Sequence, residues 1–298
     1  SHLREYARTA RRLWQDYEKQ PDPAAFKRLR GDDPAHLVKV ALGEALELVE
    51  AEGEPGIELQ LQSEIPIGAG FGSSAAAAVA IGRAYLAWRG IELSLADLER
   101  FGLEVERRQH GLPSGIDSTT VIRGGLVWAL RDPAGRFSAT SVTSGSPALD
   151  RIRVFNSGTP TESTGAVVAA VRALRDRDPG RFEGVLERME GATRTVRQLL
   201  EDGGIAPERL VAPLREFEAC LEHCGVVPPA LCRIVRLVEA QGGAAKISGA
   251  GALTGLGAGS LLVYHPEPQR IDRWDFLADL ERLDVRLGAP GVRLDEGC

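Results

Sequence analysis

The chain has 298 residues, room for one large domain or two lobes around a sizeable core. Hydrophobic residues make up 43% and charged residues 26%, and 36 basic against 42 acidic residues leave a net charge of −6, which argues against a nucleic-acid partner. No apolar run reaches the roughly 18 residues of a membrane span, no segment reads as a secretory leader, and four cysteines (Cys220, Cys224, Cys232, Cys298) are too few for a disulfide scaffold, so a reducing, cytoplasmic setting off the membrane is expected.

Leu3, Tyr6, Leu13 and Tyr17 are spaced for a helix over 3–20, which Pro21 and Pro23 end. A second amphipathic helix covers 34–51 and stops at Gly53 to Gly56. Ile57, Leu59 and Leu61 alternate with Glu58, Gln60 and Gln62, the pattern of a strand with one wet face. A glycine-rich loop follows, and then an alanine-rich helix from Ala75 to Trp88. Ser94 caps a helix over Leu95 to His110, and Gly111 to Asp117 form a rigid turn. Val121-Ile122, Gly125 to Leu130, Ser138 to Val142 and Arg151 to Asn156 read as strands. A helix over 162–175 starts after the turn Ser157-Gly158-Thr159-Pro160-Thr161. Helices are expected over 180–202, 206–223 and 229–241, a second glycine turn over Lys246 to Ala252, and a strand over Ser260 to Tyr264. A helix near 270–282 and a strand near 284–287 close the chain. The Ser-Gly-Ser-Pro stretch suggests a boundary near 145–152, giving units 1–150 and 151–298.

The first glycine loop runs Glu64-Ile65-Pro66-Ile67-Gly68-Ala69-Gly70-Phe71-Gly72-Ser73-Ser74-Ala75-Ala76. Glycines let backbone N–H groups turn inward, and the helix that follows offers unpaired N–H groups and a positive dipole end. Together they make a cradle for a phosphate chain, or simply a strand-to-helix turn with a serine cap. Ser73 and Ser74 stand where a hydroxyl caps the helix or reaches a phosphate-bound cation. The spacing is neither a Walker A loop nor the G-x-G-x-x-G dinucleotide pattern.

Three motifs in order carry a resemblance. The stretch Pro66 to Ala76 resembles the P-x-G-A-G-L-G-S-S-A-A loop of the GHMP small-molecule kinases, with Phe71 in place of the leucine. Glu106 to Asp117 resembles the E-x-x-x-H-G-x-P-S-G-x-D pattern of that family's mevalonate kinase branch. Lys246-Ile247-Ser248-Gly249-Ala250-Gly251 resembles the third motif, K-x-[ST]-G-A-G. The resemblance spans roughly residues 35–298. It implies an α+β, two-lobed GHMP kinase fold, with mixed sheet and helices in the N-terminal lobe and an α/β sandwich in the C-terminal lobe. It also implies an ATP- and Mg²⁺-dependent phosphotransferase acting on mevalonate. The alternatives are a kinase for another small alcohol (phosphomevalonate, homoserine or a sugar) and a nucleotide-binding homologue without catalysis. A homodimer is one open arrangement.

By the same resemblance, Gly68, Ala69, Gly70, Phe71, Gly72, Ser73 and Ser74 hold the phosphates of ATP, and Ser74 and Glu106 hold Mg²⁺. Asp117 accepts the proton of the substrate hydroxyl. His110, Ser114, Gly249 and Ala250 line the substrate. Phosphoryl transfer needs little more than this: a cradle, a cation and a carboxylate near the attacking oxygen. His110 is also placed to cap a helix end, and Lys246 either reaches a phosphate or makes a strand-edge salt bridge. Thr159, Thr161, Ser163 and Thr164 line the substrate or cap a helix. Cys220 and Cys224 share a helix face and are expected to be buried thiols rather than metal ligands. Two departures stand out. The family's Pro-Gly-Lys and Gly-Glu-His motif belongs before residue 1, and the expectation is that the kinase has a further N-terminal segment. The glycine run after the third motif is replaced by Ala252-Leu253-Thr254, where a bulky Leu253 is expected to alter the turn.

Overall fold

The computed structural model describes residues 2–49, 56–132, 134–142, 148–202 and 206–295. The chain divides into two units, neither continuous in sequence. One takes Ser1–Glu64, Gly72–Ser141 and Ala289–Cys298, the other Ile65–Phe71 and Val142–Gly288. The expected stop over Gly53 to Gly56 falls largely outside the described residues; Cys298 and the whole Ser-Gly-Ser-Pro stretch lie outside them.

The first unit is mainly helical. α1 (His2–Lys19) buries Ala7, Ala10 and Trp14. α2 (Pro23–Arg30) adds to the expected elements. Pro23 sits in its first turn, where a missing N–H costs nothing, and the Asp22 carboxylate accepts the Ala25 N–H at 2.8 Å. α3 (His36–Glu47), α4 (Ser73–Trp88), α5 (Leu95–His110) and α6 (Ile116–Arg123) enclose a core of Val40, Leu46, Val79, Ile81, Leu86, Phe101, Val105 and Ile122. The small residues of α4 permit close packing: a Cβ on Gly82 would lie 2.2 Å from the Phe101 ring.

Two expectations for this unit are corrected. Val121 and Ile122 lie in α6, not in a strand; Ser118, Thr119 and Ile122 are its buried residues, and burial at helical spacing overrides the β-branched preference. Residues 57–62 form no ladder. Ile57, Leu59 and Leu61 are 37, 38 and 46% exposed, and no strand among the described residues lies beside them to pair their backbone groups. β1 (Leu126–Arg131) pairs with β2 (Phe137–Val142) in a two-stranded sheet. The last described residues return to α6, with Val292 N–H donating to Val121 O at 3.0 Å.

The second unit contains β3 (Ile152–Asn156), α7 (Thr164–Arg177), α8 (Pro179–Glu201), α9 (Val211–His223), α10 (Pro229–Ala240), β4 (Ala244–Ser248), β5 (Ser260–Tyr264) and β6 (Glu281–Leu283). Its antiparallel sheet has the order β4-β5-β3-β6, with Tyr264 opposite both Ile152 and Ala244. Val167, Leu231, Val235 and Val238 pack with Phe155, Ile247, Leu261 and Val263 in its core. The helix expected near 270–282 is replaced by 3₁₀ turns at Pro268–Arg273 and Asp275–Leu277. Trp274, extended between them, stacks on Phe276 at 5.5 Å, and that packing outweighs helical continuity. The strand expected near 284–287 does not form; the last strand, β6, ends at Leu283, before that range. The helix expected over 206–223 opens with a 3₁₀ turn at Pro207–Leu210 before α9 begins. The whole is a mixture of helices and antiparallel sheets, in keeping with the α+β class. No helix among the described residues is long and apolar enough to cross a membrane.

Candidate active site

In the first unit, the N-terminal end of α4 meets the C-terminal end of α5 and the start of α6. Ser74 Oγ lies 3.0 Å from His110 Nε2. A Cβ built on Gly72 would lie 3.7 Å from Asp117 Cβ, so the Asp117 carboxylate stands beside the last glycine of the loop. Ser114 holds the turn between α5 and α6: its hydroxyl accepts the Ile116 N–H at 3.2 Å, and its carbonyl accepts from Arg131 at 3.0 Å. Asp117 is reachable by solvent, yet the protein around it raises its carboxyl above the usual range, with His110 acting the other way. The same crowding lowers His110, which favours a neutral imidazole. His110 does not close α5: Gly111 is the C-cap, and the His110 ring is turned to Ser74.

Glu106, Ser74, Gln109 and His110 line one small recess with Leu37, Ala78 and Val105. Glu106 is only 4% exposed. Burial pushes its carboxyl up to about 7; the Asp117 charge adds to the rise, and the Ser118 hydroxyl, donating at 3.0 Å, opposes it. Gln109 Oε1 is buried without a hydrogen-bond partner. The sequence reading missed Gln109, and only its place three residues after Glu106 hints at a shared face. The recess is thus lined by a buried carboxyl, a hydroxyl and an unpartnered amide oxygen, the hard-oxygen donor types that Mg²⁺ takes.

In the second unit, the two glycine turns touch. Gly70, at φ +78°, would place a Cβ 2.8 Å from Ser248 O and 3.2 Å from Gly249 Cα. Backbone meets backbone here, so neither turn has room for a side chain. Ala69 O accepts the Ser260 N–H at 2.9 Å, fixing the loop to the start of β5. A further set of bonds ties the segment after the third motif to the turn before α7. Glu162 accepts from Leu253 N–H at 3.0 Å and from Thr254 Oγ1 at 2.6 Å, and Ser157 Oγ donates to Gly259 O at 2.7 Å. Leu253 does not distort this segment: no residue but glycine has positive φ among the described residues, and Gly249, Gly251 and Gly255 absorb the turns. Ser163 caps α7, accepting the Ala166 N–H at 3.3 Å.

Lys246 makes no strand-edge salt bridge among the described residues. Its ammonium donates to Ile247 O at 2.7 Å and lies 4.8 Å from the centre of the Phe217 ring, and burial lowers its pKa. Cys220 is buried and Cys224 half-buried, both thiols are raised by burial, and no metal-binding cluster of His, Cys, Asp and Glu occurs among the described residues. Glu218 was not legible in the sequence. It is fully buried on α9, with Oε2 accepting the Ile247 N–H at 3.1 Å and Oε1 unpartnered. Burial pushes its carboxyl up to about 7 against the pull of that hydrogen bond and of Lys246. The folded protein therefore keeps a proton that the unfolded chain, with a Glu pKa of about 4.3, releases. Glu218 favours folding most below that lower value, and the benefit drains away as pH rises toward about 7. Glu218→Gln should flatten the fall in unfolding free energy between pH 5 and pH 8, followed by urea denaturation, by up to roughly 3 kcal/mol. An unchanged slope would contradict the assignment.

Residues 36–125 match the family model described as GHMP kinases N terminal domain. The chain is 29% identical to human mevalonate kinase over 217 residues, which is 70% of this chain and 51% of that protein, so it spans about half the length of that relative. Among solved structures, Methanococcus jannaschii mevalonate kinase superposes with a TM-score of 0.60 at 16% identity, covering 85% of this chain and 75% of that one. Streptococcus pneumoniae phosphomevalonate kinase, solved with phosphomevalonate and AMPPNP, gives 0.61 at 16% identity, covering 86% and 83%. The resemblance to the GHMP kinases, and to mevalonate kinase within them, is thereby shown, and the fold is the GHMP kinase fold.

Proposed function

We propose that this chain carries an ATP-dependent phosphotransferase site whose acceptor is the hydroxyl of mevalonate. The observation that carries the reading is the grouping of Ser74, His110 and Asp117 beside Gly72 at one end of α4. The likeness to human mevalonate kinase supports the choice of acceptor. In this reading Gly68 to Ser73 hold the phosphates through backbone N–H groups. Ser74 and Glu106 hold Mg²⁺, with Gln109 Oε1 beside them. The cation, when bound, neutralises charge on the phosphates and keeps Glu106 ionised. Asp117 takes the hydroxyl proton as the acceptor oxygen bonds to the γ-phosphorus and the bond to the ADP oxygen breaks. His110 stays neutral and orients the Ser74 hydroxyl, while Ser114 fixes the turn that aims Asp117. Gly249 and Ala250 border the substrate. Cytoplasmic placement accompanies this reading.

The test is a nucleotide titration paired with a product assay over mevalonate, phosphomevalonate, homoserine and a sugar. Phosphorylated mevalonate as the preferred product is the expected result. Turnover of a different alcohol retires the substrate and keeps the reaction. Tight nucleotide binding with no phosphorylated product from any of them overturns the enzymatic reading.

A further inference from the structure

The turn that presents His110 and Asp117 is braced from outside the residues matching the family model. Trp14 on α1 is 8% exposed, and its indole N–H donates to Gly111 O at 2.7 Å. Gly111 follows His110 directly. Its φ of +77° suits glycine, and a Cβ there would meet the Tyr17 ring at 2.4 Å, so α1 covers this residue with two aromatic side chains. The indole is itself held. The guanidinium carbons of Arg107 and Arg108 lie 4.9 and 5.4 Å from its ring centre. Arg108 is 1% exposed, pairs with Glu104, and lies 3.4 Å from Glu44 of α3; Glu44 also takes Arg11 of α1 at 2.7 Å. Three residues before Gly111, in the last turn of α5, Arg108 O is 3.2 Å from His36 Nε2, whose Nδ1 meets Tyr6 OH at 2.9 Å. Three aromatic residues of α1 thus reach the end of α5, Trp14 and Tyr17 directly and Tyr6 through His36.

We propose that Trp14 is a positioning residue for phosphoryl transfer: its indole N–H fixes the Gly111 carbonyl and so sets the direction in which His110 and Asp117 point. The role rests on the reading of Asp117 as the proton acceptor. Trp14 touches neither nucleotide nor acceptor in this scheme, so its loss acts on kcat and leaves nucleotide affinity alone. A misplacement of order 1 Å in a catalytic group can cost roughly a hundredfold in rate. Losing one hydrogen bond while a smaller aromatic ring keeps most of the space is milder, about tenfold.

The experiment compares Trp14→Phe, which keeps an aromatic ring and removes the donor, with Trp88→Phe, an exposed tryptophan on α4 distant in sequence from the turn. Tyr17→Leu opens the same turn by a different contact and serves where Trp14→Phe folds poorly. Expected for Trp14→Phe are a kcat about tenfold lower, KM for ATP within twofold, and amide exchange at residues 110–117 at least tenfold faster, with the α3 and α4 core amides unchanged. Tyr17→Leu should show the same pattern at about a third of the size, and Trp88→Phe none of it. Wild-type kcat with wild-type exchange at 110–117 in Trp14→Phe overturns the proposal, as does a loss spread evenly over core and turn amides. Absence of phosphotransfer by the wild type would count against the kinase reading instead; the exchange comparison would still decide whether Trp14 sets the turn.

Discussion

Replacing Asp117 with asparagine should lower kcat by about 10²–10⁴-fold and leave nucleotide affinity within a few-fold, because a positioned base contributes on that scale only in the transition state. The change is nearly isosteric and removes an acid beside Gly72 whose ionised form its surroundings disfavour. The folded protein therefore loses nothing by the substitution, and its melting temperature should hold or rise. Activity lost without stability lost is the signature of a catalytic group. A variant that keeps more than a third of wild-type kcat would remove Asp117 from the proton-accepting role. So would a drop in nucleotide affinity that accounts for the whole effect.

Gly70→Ala should abolish useful nucleotide binding. The new methyl would sit 2.8 Å from Ser248 O and 3.2 Å from Gly249 Cα, both backbone atoms that can retreat only by moving the third motif. The positive φ of Gly70 adds about 1–2 kcal/mol for any other residue. Together these amount to roughly 3 kcal/mol, or a loss of about a hundredfold in affinity if the loop yields rather than the fold. Gly90→Ala is the comparison. Gly90 has φ +72° but nothing within 4 Å of its Cβ position, so only the backbone term applies, and nucleotide affinity should be unchanged. Equal nucleotide affinity in the two variants, measured by calorimetry, would show that contact between the turns does not shape the cradle.

Much of the candidate site was legible because its parts are local. The loop Gly68 to Ser74 and the turn His110 to Asp117 are runs whose glycines, proline and carboxylate act within a few residues of one another. What could not be read depends on partners far along the chain. Trp14 meets Gly111 across 97 residues. Glu162 meets Thr254 across 92. Glu218 is buried under a strand 29 residues away, and neither its neighbours on α9 nor its spacing signals that burial. Secondary structure failed for the same reason. The alternation of Ile57, Leu59 and Leu61 is a strand pattern without a neighbouring strand among the described residues. Val121 and Ile122 prefer strands but lie in the helix that carries Asp117 on its first turn. α1 ends before the two prolines as expected, but that Pro23 also opens α2 was not read, since it rests on the Asp22 cap.

The most direct measurement is ³¹P NMR of the protein incubated with Mg²⁺, ATP and mevalonate. The account predicts that the γ-phosphorus resonance of ATP is replaced by a phosphomonoester resonance as ADP forms, in equal amounts, and only when mevalonate is present. Inorganic phosphate as the product at the same rate with and without mevalonate would contradict it, as would an unchanged ATP spectrum under conditions where nucleotide is shown to be bound.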